Sequence, residues 1–171
     1  MRKTSHLWFA TAGLIAMVGG VLVVTEALPA TADTAARQGH PRVLHLVTET
    51  EQFSVINVGD QAPALGLGDE VISSDRVLRD GQRVGRSGTE LTVVGTSPGV
   101  LTTDVLTTID LPEGQLVLQG IVDGPTGPPT TPLTATLAVT GGTGAFSRVT
   151  GVAEIVDRPG GTEELTVRLS D

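Results

Sequence analysis

The sequence contains no cysteine and no tyrosine, and its single tryptophan, Trp8, lies among the first ten residues. Without thiols there is no disulfide framework, no thiolate metal ligand, no lipidated cysteine and no thiol nucleophile. Beyond Phe9 only two aromatic rings remain, Phe53 and Phe146. Surfaces that stack bases or sugars need more rings than that, so any ligand pocket must be walled by Val, Leu, Ile and Thr. Lysine occurs once, as Lys3, and 11 Lys and Arg stand against 19 Asp and Glu for a net charge of −8. A surface of that sign repels phosphate backbones and anionic membranes, which excludes nucleic acid from the expected partners. No metal-ligand spacing, G-x-S-x-G elbow or Walker loop is present, and neither a metal nor any other cofactor is expected.

One long apolar run stands at the start of the chain. Arg2 and Lys3 precede an uncharged, largely apolar stretch from Leu7 to Val24, and Ala30-Thr31-Ala32 offers small residues at the spacing of an export cleavage site. Residues 1–32 are therefore expected to be a signal peptide. The alternative is an uncleaved membrane anchor, which Gly13, Gly19 and Gly20 weaken. The mature protein would be secreted, start near Asp33 and keep no stable association with the membrane. Residues 33–41, which include His40, read as a flexible lead. Residues 42–171 then make one domain, large enough to bury about two-thirds of its unfolded surface without disulfides.

Within that domain the pattern is of strands. Runs rich in β-branched residues occupy 43–51, 70–78, 83–94, 100–111, 115–123, 133–140, 149–157 and 162–169. Turn chemistry separates them: Asp80-Gly81, Ser97-Pro98-Gly99, Pro112-Glu113-Gly114 and Pro159-Gly160-Gly161. Loops are expected at 59–68 and at the proline-rich 124–132. No sustained 3.6-residue period follows the leader. About eight short strands imply an all-β barrel or sandwich, and composition alone does not choose between them.

The most informative stretch is Leu137-Ala138-Val139-Thr140-Gly141-Gly142-Thr143-Gly144-Ala145-Phe146. VTGGTG also opens dinucleotide-binding loops, but such a loop needs a third glycine three residues on, then a helix and further βα units. Position 147 is Ser147, and the residues that remain alternate like strands. The other reading is steric: the glycines permit a tight bend between strands, and Phe146 plugs the space they leave.

LAVTGGTGAFSRVTG resembles the signature of the allene oxide cyclase and dirigent proteins. Leu67-Gly68-Asp69-Glu70-Val71, Arg83-Val84-Gly85-Arg86-Ser87-Gly88 and Leu111 to Gly120 are similar to further family segments in the same order. The resemblance implies an eight-stranded antiparallel β-barrel and a cofactor-free isomerase or cyclase. Such an enzyme would bind a small apolar molecule and direct its cyclisation or coupling, and it would be a homodimer or homotrimer. A non-catalytic carrier of a lipophilic ligand, or an extracellular interaction module, is the alternative.

Alternation puts His45, Val47, Glu49, Glu51 and Phe53 on one face of the first strand, and Leu44, Leu46, Thr48 and Thr50 on the other. The pattern leaves both choices of interior face open. The resemblance implies that Glu49 and Glu51 occupy the family's E-x-N positions, with Asp75 where a family asparagine lies on the next strand. Carboxylates gathered in an apolar barrel would raise one another's pKa and yield an acid or base near neutral pH. Glu49, Glu51 and Asp75 are therefore the expected catalytic residues. Asp80, Glu113 and Asp157 are expected in solvated turns.

Overall fold

The computed structural model describes residues 42–58, 65–127 and 130–170. The expected signal peptide and lead lie outside the described residues, as does part of the loop expected at 59–68. Eight strands follow in order: β1 Arg42–Ile56, β2 Glu70–Arg79, β3 Gln82–Ser97, β4 Val100–Leu111, β5 Gly114–Pro125, β6 Leu133–Gly142, β7 Thr150–Arg158 and β8 Thr162–Ser170. Each pairs antiparallel with its neighbour in the chain, and β8 returns to β1, so the sheet closes into a barrel. The eight expected strands are all present, and the closed barrel replaces the sandwich alternative.

Side-chain alternation explains which face turns inward. In β4, Leu101, Val105, Ile109 and Leu111 are buried on one face, and in β8 Leu165, Val167 and Leu169 are. Strand bends come from bulges between Thr50 and Gln52, Val77 and Leu78, Val93 and Gly95, and Val117 and Leu118. Bulges add local twist, which closure requires. β3 runs unbroken through Gly85 and Gly88. At Gly85 the reason for a glycine is space: a Cβ there would lie 2.1 Å from the Asp110 carbonyl oxygen on β4. Asp69, buried at the head of β2, accepts N–H bonds from Val58 at 2.7 Å and Gly66 at 2.8 Å, tying both ends of the β1–β2 connection together.

The GGTG segment closes one end of the barrel. β6 gives way to a single 3-10 turn, Gly144–Phe146, and Phe146 is completely buried. A Cβ on Gly142 would lie 2.0 Å from the Gln115 carbonyl oxygen, and one on Gly144, where φ is +58°, 2.5 Å from that of Glu113. Thr143 N donates to Gln115 O at 2.9 Å, and Ala145 N to Glu113 O at 2.8 Å. The guanidinium of Arg42 stands 4.8 Å above the Phe146 ring. The glycines are thus consumed by packing against the β4–β5 turn, and two strands rather than a helix follow, as the steric reading requires.

Phe146→Ala is expected to cost about 3–5 kcal/mol of folding stability. Gly142→Val should cost more than about 1 kcal/mol, whereas Gly124→Ala, which meets nothing within 4 Å, should stay within about 0.5 kcal/mol of wild type. Urea denaturation of the three variants checks this. A nucleotide-dependent thermal shift, with Gly142→Val as stable as wild type, would overturn the steric account.

Candidate functional site

Leu44, Leu46 and Thr48 of β1 are buried, so the face bearing Glu49 points out of the barrel. Glu49 sits opposite Arg76 of β2 and binds its guanidinium. Glu51 is the extra residue of the β1 bulge and pairs with Arg83 at 3.1 and 3.3 Å. The expectation that these two glutamates face the cavity is therefore corrected: both lie on the outer surface, each with an arginine partner. The cause is the choice of face made by the neighbouring leucines, which an E-x-E pattern does not reveal.

Asp75 is placed inside, at 5% exposure, across from Thr50. It accepts from the Ser87 hydroxyl at 2.9 Å and faces that of Ser73 at 3.5 Å. The turn acids divide. Asp80 is exposed in the β2–β3 turn as expected. Glu113 is part-buried at the closed end, where a 2.7 Å bond from Arg79 holds its carboxyl below the usual range. Asp157 is a correction: β7 continues through Arg158, and alternation from Ala153 and Ile155 turns Asp157 inward. Its part-burial pushes its carboxyl up.

At the end opposite Phe146 the interior is not filled. A cavity of about 240 Å³ lies there, walled by Leu91, Leu101, Val105, Val122, Leu137 and Ile155. Its polar groups include the hydroxyls of Thr89 and Thr107, 3.0 Å apart, and the carboxyls of Asp157 and Glu163. Asp157 and Glu163 are cross-strand partners on β7 and β8. Thr48 of β1, opposite Glu163, donates its hydroxyl to Glu163 Oε2 at 3.2 Å. Among the described residues no arginine pairs with Asp75, Asp157 or Glu163, and no cluster could hold a metal ion.

Burial pushes the Glu163 carboxyl up, and the charges of Asp157 and Asp75 push it further, against the opposing bond from Thr48. A carboxyl so placed stays protonated at higher pH than an exposed one and can donate a proton to a bound molecule. Sequence reasoning missed Glu163. The signal was the alternation Glu163, Leu165, Val167, Leu169, which puts the glutamate on the core face of the last strand.

The raised pKa has a definite sign in stability. Glu163 binds its proton more tightly in the fold, so its contribution is fully present below the ordinary value of 4.5 and is lost as pH rises through the folded value. Glu163→Gln should therefore melt close to wild type at pH 4 and higher than wild type at pH 7. Thermal melts across that range read the difference, and a variant less stable than wild type at pH 7 would contradict the site's electrostatics.

The geometry can be set beside known proteins. Residues 43–169 match the family described as the allene oxide cyclase barrel like domain. A pyocyanin demethylase structure is similar at 26% identity with a TM-score of 0.61, covering 75% of this chain and 100% of that one. The Diels–Alderase AbmU from Streptomyces koyangensis is similar at 17% identity and a TM-score of 0.57, covering 77% of this chain and 64% of its own. A pterocarpan synthase dirigent protein is similar at 16% identity and a TM-score of 0.55, covering 76% and 89%. Comparison with curated protein sequences finds no match. With the family match running through all eight strands of the closed barrel, the chain belongs to the allene oxide cyclase barrel-like family.

Proposed function

We propose that the barrel binds a small, largely apolar molecule in its open half and directs that molecule's cyclisation or stereoselective coupling, with the Glu163 carboxyl as the proton donor. The observation that carries this reading is a part-buried carboxyl without a basic partner on the wall of an apolar cavity. The cavity volume is just below the roughly 300–1,000 Å³ of ordinary ligand sites. Branched aliphatic walls hold a flexible substrate folded, so that its reacting ends meet without a further entropic cost. The acid then polarises an oxygen of the substrate as charge develops on it.

Glu163 takes the role that the family resemblance had assigned to Glu49. Asp75 acts through it, since its charge helps keep Glu163 protonated. The Diels–Alderase and dirigent relatives support a shaped barrel that steers ring formation or coupling, while the demethylase is named for a different reaction in a similar barrel. The basic start, apolar run and Ala30-Thr31-Ala32 support export of the protein and its action outside the cell.

Native mass spectrometry of protein purified from its source should show a co-purifying small molecule. With that molecule or its precursor as substrate, Glu163→Gln should lower turnover by about 10²- to 10⁴-fold while binding survives, and Asp80→Asn should change neither. If Glu163→Gln turns over like wild type, the catalytic reading gives way to that of a carrier. N-terminal sequencing of the exported protein should start at or near Asp33, and recovery of Met1 would refute cleavage.

A further inference from the structure

The acid pair at the cavity wall is exposed on two sides. Asp157 and Glu163 line the apolar cavity, and the same two side chains line a second pocket of about 350 Å³. That pocket is formed by Thr50 of β1 and by Arg158, Pro159, Gly160 and Gly161 of the β7–β8 hairpin. The two spaces differ in character. The first is walled by branched aliphatic side chains. The second is walled by a hydroxyl, an arginine, a proline ring, two glycines and the acids themselves.

The hairpin holds this second space open in a defined way. Gly160 and Gly161 have φ of +109° and +80°, and neither carries a side chain that could fill the pocket. The Gly161 carbonyl accepts the backbone N–H of Thr50 at 3.0 Å, which fixes the hairpin tip to β1. Arg158, at the rim of the same pocket, spends its guanidinium on Glu164, which it binds at 2.7 and 3.0 Å. The space has room for on the order of ten waters at about 30 Å³ each, and hydroxyl, carbonyl and carboxyl groups are there to hold them.

We infer that the hairpin-side pocket is a water subsite through which Glu163 exchanges its proton with solvent while substrate occupies the apolar cavity. The inference rests on the reading of Glu163 as the proton donor. In the donating step the Glu163 O–H bond breaks and its proton passes to a substrate oxygen, leaving a carboxylate. A hydrated proton reaching the carboxylate through the water-filled pocket restores the acid. The protonated substrate gives up one proton to water as its new bond forms, so one proton enters and one leaves per turnover, no electrons are transferred and no further reagent is needed. The arrangement answers a problem of enclosed acid catalysis: a substrate that excludes water from the cavity would also cut the acid off from its proton source.

Access to Glu163 can be read directly by labelling with a water-soluble carbodiimide and glycinamide, followed by peptide mass spectrometry. Thr50→Trp fills the hairpin-side pocket, and Ala135→Phe intrudes on the apolar cavity that Ala135 lines. Thr50→Trp should slow labelling of Glu163 at least tenfold, and Ala135→Phe should leave it within about twofold, with exposed Asp80 labelled equally in all. Thr50 is exposed, and Thr50→Leu serves as a smaller plug if the tryptophan variant does not fold. The reverse pattern, slowing by both variants, or slowing by neither would overturn the inference. Normal turnover in Glu163→Gln would instead sink the acid's role without altering the labelling pattern, so the two failures are read separately.

Discussion

Contact of backbone with backbone at the GGTG bend sets the polarity of the whole barrel. Gly142 and Gly144 let the chain lie against the carbonyls of Gln115 and Glu113, distances that any Cβ would forbid. That approach drops Phe146 into the barrel's end, where Leu44, Leu46, Ile109, Leu116 and Val167 belong to the same core cluster. One end is thereby sealed with the only buried aromatic ring among the described residues. The other end, which has no ring to fill it, keeps a cavity. In a chain so poor in aromatics, a single phenylalanine decides which half of the barrel is core and which half is site.

The acids are sorted by the same closed sheet. On the outer face Glu49, Glu51, Asp110, Glu154 and Glu164 each meet an arginine. Exposed pairs of this kind contribute about 0–1 kcal/mol, so their main effect is on charge balance and on what they withhold from chemistry. Inside, Asp75 and Glu163 meet only hydroxyls, from Ser87, Ser73 and Thr48. Hydroxyls solvate a carboxyl without neutralising it. Like charges left facing one another in a partly dry space oppose stability, which is a common sign of a site kept for function.

Two corrections have one origin. Glu49 and Asp157 were both judged by their neighbours in sequence, as an E-x-E pair and as a residue beside a turn. Their orientation depends instead on whether the adjoining positions carry core residues. Leu44, Leu46 and Thr48 turn Glu49 out, and Ala153 and Ile155 turn Asp157 in. Applied to β8, the same parity rule would have singled out Glu163 from the sequence. Asp75 does lie on the inner side of its strand, at the position that the family pattern marked.

The sequence by itself determined the strand count, the turn positions, the steric use of the GGTG glycines and the family, because each is written in local alternation, turn chemistry or contiguous motif. It also determined that any pocket would be aliphatic, since it supplies almost no rings. Only the tertiary structure decided that Asp157 and Glu163 stand opposite one another with Asp75 nearby, and that Glu49 and Glu51 do not join them. The physical reason is closure: the register between β8 and β1 joins residues more than a hundred positions apart, as Thr48 and Glu163 show. No local pattern carries that register. It follows from bulges that bend the strands and from one buried ring that fixes which end of the barrel is packed.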